Sequence, residues 1–332
     1  MNLPSPPPPT RRVGSTCPSC RPAYQTNLGS AYCGDALALL SELPSDSVDL
    51  VLTSPPFALL LKKEYGNRAQ DEYVEWLLPF ATQVRRVLKD TGSFVLDMGG
   101  AYQKGVPSRS LYQFRTLLAL CDRAGFFLAQ DFYWHNPSKL PSPAEWVTRR
   151  KIRAKDSVNT VWWLSKTEWP KADVKKVLVP YSESMKKLLK DPDYYKPTTR
   201  PSGHEISGNF HKDNGGAIPS NLLQIPNTES NSPYQSWCKA LGIPSHPARF
   251  PAKLPEFFIR LLTDPDDLVV DIFAGSNTTG WVAEVESRRW LSFEDRLDYV
   301  AASAFRFLPK TVSRVNAADV YAEVLVGREV QL

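Results

Sequence analysis

Val48-Asp49-Leu50-Val51-Leu52-Thr53-Ser54-Pro55-Pro56-Phe57 is a run of mostly apolar, β-favouring residues that leads directly into a stiff corner. Its first part reads as a buried parallel strand, because the apolar residues cluster instead of alternating with polar ones. Pro55 and Pro56 end it, since neither has an N–H to give to a sheet ladder. In an open α/β sheet, ligands bind just beyond the carboxyl ends of the strands. Ser54 and Phe57 are therefore delivered to a binding crevice on a rigid turn. The hydroxyl and carbonyls of such a corner can accept hydrogen bonds from an exocyclic amine. The ring can stack on a flat base taken out of a duplex. A strand followed by a Pro-rich turn with a core Phe accounts for the same residues, and this stretch alone does not separate the two.

Outward from this strand the chain alternates strand and helix. Residues 31–35 form a short strand ending in a turn, and a helix follows over 36–43. Asp35 stands between them, where it can accept from an adenine amino group, cap the helix, or do both. A helix is expected over 71–89, with Tyr73, Trp76, Leu77, Phe80, Ala81, Val84 and Leu88 on one face. The strand expected over 93–100 places Asp97 at its carboxyl end as well. A helix over 109–124 and strands over 126–134 and 160–165 complete a pattern that predicts a doubly wound α/β sheet.

A second anchor lies near the other end of the chain. Leu268-Val269-Val270-Asp271-Ile272-Phe273 is the most hydrophobic strand, and the small-residue loop Ala274-Gly275-Ser276-Asn277-Thr278-Thr279-Gly280 follows it. A helix over 281–287 and a strand over 290–294, ending in Glu294, complete a nucleotide-type unit. Backbone can approach a ligand closely at Gly275 and Gly280, and a helix N-terminus presents free amides. Glu294 is placed to clamp two ribose hydroxyls. The loop has neither the Gly-x-Gly-x-x-Gly spacing of dinucleotide sites nor a Gly-Lys-Ser/Thr phosphate loop. S-adenosylmethionine, which has no pyrophosphate, therefore fits better than NAD or ATP. An ordinary α/β unit capped by Ser276 or Asn277 is the plainer account.

Between the anchors, residues 166–244 are rich in Pro, Asn, Ser, Lys and Gly, with few periodic runs. Arg149-Arg150-Lys151-Ile152-Arg153 precedes them, and Lys171, Lys175, Lys176, Lys186, Lys187, Lys190 and Lys196 are scattered through them. This irregular, basic insertion is expected to face nucleic-acid phosphate. His204 and His211 are expected in polar, DNA-facing roles. After it, helices are expected over 255–263 and 298–308.

Composition agrees with an enzyme of this kind. The chain has 332 residues, 42% hydrophobic and 23% charged, enough for a proper core, and a formal charge of +5 that favours an anionic partner. Five cysteines without framework spacing point to a reducing cytoplasm. Cys17 and Cys20 form a lone Cys-x-x-Cys with no second pair, so no metal site is expected. Residues 1–16 read as a disordered, Pro-rich tail. No apolar run is long enough to span a membrane.

Asp-Ile-Phe-Ala-Gly-Ser-Asn-Thr-Thr-Gly at 271–280 and Thr-Ser-Pro-Pro-Phe at 53–57 resemble the cofactor loop and catalytic corner of DNA amino-methyltransferases. The corner precedes the loop, which is the permuted order of the β group of that family, and the resemblance covers about residues 22–308. Ser in the first place of the corner is typical of the cytosine-N4 members, Asp or Asn of the adenine-N6 members. The resemblance implies a catalytic half at 17–165, a target-recognition region at 166–244 and a cofactor half at 245–332. It implies that Ser54, Pro55, Pro56 and Phe57 hold a flipped cytosine, with Asp97 polarising the Ser54 hydroxyl. It further implies that Asp35 faces the cofactor adenine. Phe250, Pro251, Asp271, Phe273, Gly275, Ser276, Asn277 and Thr278 would surround S-adenosylmethionine, and Glu294 would take its ribose. The substrate would be double-stranded DNA with a short palindromic site, CAGCTG by analogy, methylated by a monomer alongside a cognate restriction endonuclease. No cysteine follows a proline in a strand-end turn, so covalent C5 chemistry has no nucleophile. An adenine-N6 enzyme and a DNA-binding module without catalysis are the rivals.

Overall fold

Among the described residues ten strands form one sheet, with the stretch at 48–53 in its middle. A computed structural model describes residues 20–59, 66–191, 212–228, 232–309 and 311–332. The tail at 1–16, Cys17, Lys196, His204 and His211 lie outside the described residues. In chain order the elements are β1 (Tyr24–Gln25), β2 (Gly29–Cys33), α1 (Ala36–Glu42), β3 (Val48–Thr53), α2 (Tyr73–Val87), β4 (Leu88–Met98), α3 (Tyr112–Asp122), β5 (Phe127–His135) and β6 (Val158–Ser165). Then come α4 (Glu183–Lys190), β7 (Leu222–Gln224), α5 (Pro233–Leu241), α6 (Lys253–Leu262), β8 (Leu268–Asp271), α7 (Thr278–Val285), β9 (Arg289–Glu294), α8 (Leu297–Ser303), α9 (Arg314–Leu325) and β10 (Val330–Gln331).

The spatial order is β10-β1-β2-β9-β8-β3-β4-β6-β5-β7. From β2 to β4 the five strands run parallel, and β6 lies antiparallel to both β4 and β5. The central strands bury both faces, which is why their sequences read as apolar runs. Val48, Val51, Leu268 and Val270 pack with Leu40 of α1, Leu77 and Val84 of α2 and Leu120 of α3. Leu50, Leu52 and Val269 pack on the other face with Phe258 and Ile259 of α6, Val282 of α7 and Val300 of α8. This is the doubly wound arrangement. From β3 the chain proceeds to β4 on one side, and from β8 to β9 on the other. The switch point, where ligands bind in such sheets, therefore falls between β3 and β8.

The basic insertion is not uniform. Lys171 bonds by its backbone N–H to the Thr91 carbonyl at 2.9 Å, and its ammonium meets Asp264 at 2.5 Å and Asp267 at 2.6 Å. Lys176 donates to the Thr263 carbonyl at 3.0 Å and pairs with Asp264. These acids precede β8, at the amino ends of the strands, opposite the crevice. Lys171 and Lys176 thus belong to a strap along the back of the sheet and are not phosphate contacts. At the other boundary, Tyr234 and Cys238 of α5 pack against Ala302, Phe305 and Ala317. That places 233–241 with the C-terminal part of the sheet's helices. Helices α4, α5 and α9 were not expected from the sequence, because each is short or weakly periodic and held by a Ser cap or by packing. Among the described residues no helix is long and apolar enough to cross a membrane.

Phe258 is fully buried, with edge-on ring contacts to Phe132 at 5.1 Å and Phe257 at 5.2 Å. Phe258→Ala should lower unfolding free energy by about 3–5 kcal/mol, read as a shift of the urea midpoint without a change in slope.

Candidate active site

Because β3 and β4 are parallel neighbours with Thr53 opposite Leu96, Ser54 and Asp97 leave the sheet side by side. The Ser54 hydroxyl donates to Asp97 Oδ2 at 3.0 Å. From the next strand, Asn159 Nδ2 donates to Asp97 Oδ1 at 3.1 Å. Asp97 is buried, and burial pushes its carboxyl up to about 6, opposed by the bonds from Asn159 and Ser54 and by the charge of Lys139. Lys139, half-buried itself, is held below the ordinary lysine range by burial.

The corner is fixed from behind. A Cβ at Gly99 would lie 2.5 Å from Phe57 Cε2, so the Phe57 ring can lie where it does only over a glycine. The Tyr112 hydroxyl donates to the Gly99 carbonyl and accepts from the Ala58 backbone, which ties the end of β4 to the residue after the corner.

The ends of β8, β9 and β2 build the other side. Gly275 has a φ of +51°, and a Cβ there would come within 3.0 Å of His246 Cε1. Both facts favour glycine, and they leave backbone, not side chain, facing the crevice. The Gly275 N–H donates to Glu294 Oε2 at 2.9 Å, and the Arg296 N–H donates to Glu294 Oε1 at 3.1 Å. Burial, reinforced by neighbouring Asp295, holds the Glu294 carboxyl above the ordinary range. Asp35 caps α1, accepting from the Ala38 N–H at 2.9 Å, and also lines the cavity. The Phe273 ring meets Trp76 at 5.6 Å and Phe80 at 5.1 Å between centroids, which makes an aromatic wall. Behind the loop, buried Arg306 donates to the Ser276 carbonyl at 2.6 Å, the Ser276 hydroxyl at 3.0 Å and the Thr278 hydroxyl at 2.9 Å.

The two sides enclose one cavity of about 500 Å³. Ser54, Pro55, Pro56, Phe57 and Asp97 line it together with Asp35, Phe250, Phe273, Gly275, Ser276, Thr278 and Glu294. Three residues expected against a cofactor stand behind the wall instead. Asp271 is buried and accepts from the Thr53 hydroxyl at 2.6 Å, the Thr279 hydroxyl at 2.6 Å and the Phe273 N–H at 3.1 Å. Asn277 caps α7 by accepting from the Gly280 N–H at 3.1 Å, and it donates to the Tyr24 hydroxyl at 2.9 Å. The buried Pro251 carbonyl accepts from Leu254 at 3.0 Å, at the start of α6. Their donors and acceptors are consumed by the fold.

The sequence reading missed Asn159, Lys139 and His246, all on the cavity wall. Asn159 lies near the amino end of β6. An antiparallel strand brings that end to the crevice, so a search along carboxyl ends passes over it. Trp76 and Phe80 were read as core positions of a helix, and they also line the cavity.

A family model described as DNA methylase matches residues 48–305. The Type II methyltransferase M.PvuII of Proteus hauseri is 64% identical over 313 residues, covering 94% of this chain and 93% of that protein. A solved structure of the PvuII DNA methyltransferase (cytosine-N4-specific) superposes with a TM-score of 0.79 at 56% identity, covering 94% of this chain and 98% of that one. The fold extends to distant structures: the M1.HpyAVI–SAM complex has a TM-score of 0.51 at 17% identity, covering 85% of this chain and all of that one.

Arg306→Met removes three bonds to the loop and leaves a buried carbonyl without a donor. It should lower stability by at least about 2 kcal/mol, measured by urea unfolding, since each stranded buried polar group costs about 1–3 kcal/mol.

Proposed function

Because the chain belongs to the DNA methylase family, we propose that it is a site-specific DNA methyltransferase that carries a methyl group from S-adenosylmethionine to cytosine N4 in duplex DNA. The hydrogen bond from Ser54 to Asp97, at the edge of a cavity whose other wall suits a nucleoside, carries this reading. M.PvuII, with a cytosine-N4-specific structure under its name, supports the choice of base.

The wall fits the cofactor. Glu294 presents its carboxylate where ribose hydroxyls would donate, Asp35 offers an acceptor to the adenine amine, and Phe250, Phe273, Trp76 and Phe80 supply apolar surface for the rings. When bound, S-adenosylmethionine supplies an electrophilic methyl on a sulfonium. The protein's part is to place and activate N4. The cytosine lone pair is delocalised into the ring, so N4 is a poor nucleophile until its N–H bonds are aimed at acceptors. The Ser54 hydroxyl and the Pro55 carbonyl are those acceptors, and Phe57 stacks on the base. One N4 proton leaves as the N–C bond forms. It passes to Ser54, whose own proton passes to Asp97 along the 3.0 Å bond. Positioning supplies most of the acceleration.

Target recognition falls to the part of the insertion that remains once the strap and α5 are assigned to the body, roughly residues 178–228, together with the basic stretch Arg149–Arg153. The β5–β6 connection carries that stretch to the crevice end of the sheet. The target is a short palindrome, CAGCTG by analogy. The enzyme acts as a cytoplasmic monomer on a flipped base and protects DNA from a cognate endonuclease.

Mass spectrometry of nucleosides from plasmid DNA incubated with the protein and labelled cofactor should show N4-methylcytosine, confined to CAGCTG on methylation-sensitive sequencing. N6-methyladenine, or no label, would reject the reading. Ser54→Ala and Asp97→Asn should each lower turnover by about 10²–10⁴-fold with cofactor affinity retained. Asp97 must be ionised to take the proton. Its carboxyl is raised to about 6, so turnover should be level above that pH and fall about tenfold per unit below it. Glu294→Ala should weaken cofactor binding by about 1.5–3 kcal/mol for each charge-assisted bond lost, measured by titration calorimetry.

A further inference from the structure

We infer that Leu140 is the wedge that enters the duplex and fills the gap left by the flipped base, a role that rests on the methyltransferase reading above. Leu140 leaves 81% of its surface exposed, the most of any leucine among the described residues. A lone exposed leucine on a loose loop means little, but this loop is braced. Asn136 Oδ1 accepts from the Ser138 N–H at 3.1 Å and from the Asn227 N–H at 3.1 Å, and the Asn136 carbonyl accepts from Lys139 at 3.2 Å. Lys155 Nζ donates to the carbonyls of Pro137 and Lys139, both at 3.2 Å. Pro137, Pro141 and Pro143 restrict the backbone on either side. The fold therefore holds an apolar side chain in water on a rigid support.

Its place gives the support a purpose. Leu140 directly follows Lys139, which lines the cavity beside Asp97, and the loop leads on to exposed Arg149 and Arg150, which share the single acid Glu145, and to exposed Lys151 and Arg153. Duplex drawn against those cations is brought to the mouth of the cavity. Extruding a base leaves its neighbours unstacked, and an inserted apolar side chain restores part of that contact. Trp169, exposed to 83%, cannot do this. It sits in the strap behind the sheet, where the Thr167 hydroxyl is bonded to the Asp90 carbonyl at 2.9 Å.

The test compares single-turnover methylation of two duplexes by the full-length protein. One duplex is fully paired, and the other carries an abasic position opposite the target cytosine, so that no base pair must be broken. Leu140→Ala should slow methylation of the paired duplex about tenfold or more and of the abasic duplex about twofold or less, with cofactor affinity unchanged. Leu140→Met, still apolar and long, should stay within about twofold of the parent on both. Trp169→Ala should match the parent. Equal losses of Leu140→Ala on the two duplexes, or no loss on the paired one, would overturn the assignment. Failure of the parent protein to form N4-methylcytosine would instead reject the enzyme reading on which it stands.

Discussion

The Asp271 carboxylate is the fastening on which both halves of the site depend. It is 1% exposed at the end of β8, and it takes hydrogen bonds from Thr53 at the end of β3, from Thr279 in the first turn of α7 and from the Phe273 backbone. One side chain thus locks the last residue before the Ser-Pro-Pro-Phe corner to the loop that builds the other wall. Both oxygens are engaged, so the charge is compensated where burial alone would make it costly. Everything that must be aligned to within a bond length, Ser54 on one side and Gly275 on the other, hangs from strands joined at this point.

That junction also makes the permuted order harmless. In the chain, Ser54 and Gly275 are far apart. In the sheet, their strands are hydrogen-bonded neighbours, with Leu50 opposite Val269 and Val51 opposite Val270. Chemistry depends on which strand ends adjoin, not on which is made first. Between β6 and β8 the inserted residues add to the sheet only the edge strand β7, beside β5 and far from the β3–β8 junction.

Much of this was legible in the sequence because buried parallel strands announce themselves. The runs at 48–53 and 268–273 bury both faces and carry no polar alternation, and the turns after them hold small or rigid residues with a stereochemical reason to be there. Asp97 could be placed at a strand's carboxyl end from the sequence, and beside Ser54 through the family resemblance. What was not legible is where a polar side chain spends its hydrogen bonds. Asp271 and Asn277 lie in the loop motif and look like ligand contacts, yet their partners are Thr53, Thr279, Gly280 and Tyr24. Lys171 and Lys176 look like phosphate contacts and are held by Asp264 and Asp267, residues more than eighty positions away. Helices such as α4 and α5, eight and nine residues long, have too few turns for their apolar face to stand out in a polar segment, and Asn159 hides on a central strand that runs backwards.

Three buried or nearly buried acids with raised proton affinity lie at this end of the sheet, and their partners separate their roles. Asp271 has three protein donors and none of its surface on the cavity, so its proton affinity reports burial, opposed by those three bonds, and no ligand. Glu294 has two backbone donors, one to each oxygen, shares a side-chain hydrogen bond with Asp295, and lines the cavity; hydroxyl donors of a bound diol would favour its ionised form. Asp97 has one donor that cannot give up a proton, the Asn159 amide, and one that can, the Ser54 hydroxyl. Asp97 combines access to the cavity with a hydroxyl partner on the Ser-Pro-Pro-Phe corner itself, whereas the proton-bearing neighbour of Glu294 is another carboxyl, Asp295, on the opposite wall. The acid suited to act as the base is therefore singled out by the chemistry of its second hydrogen bond, and not by how far its proton affinity is shifted.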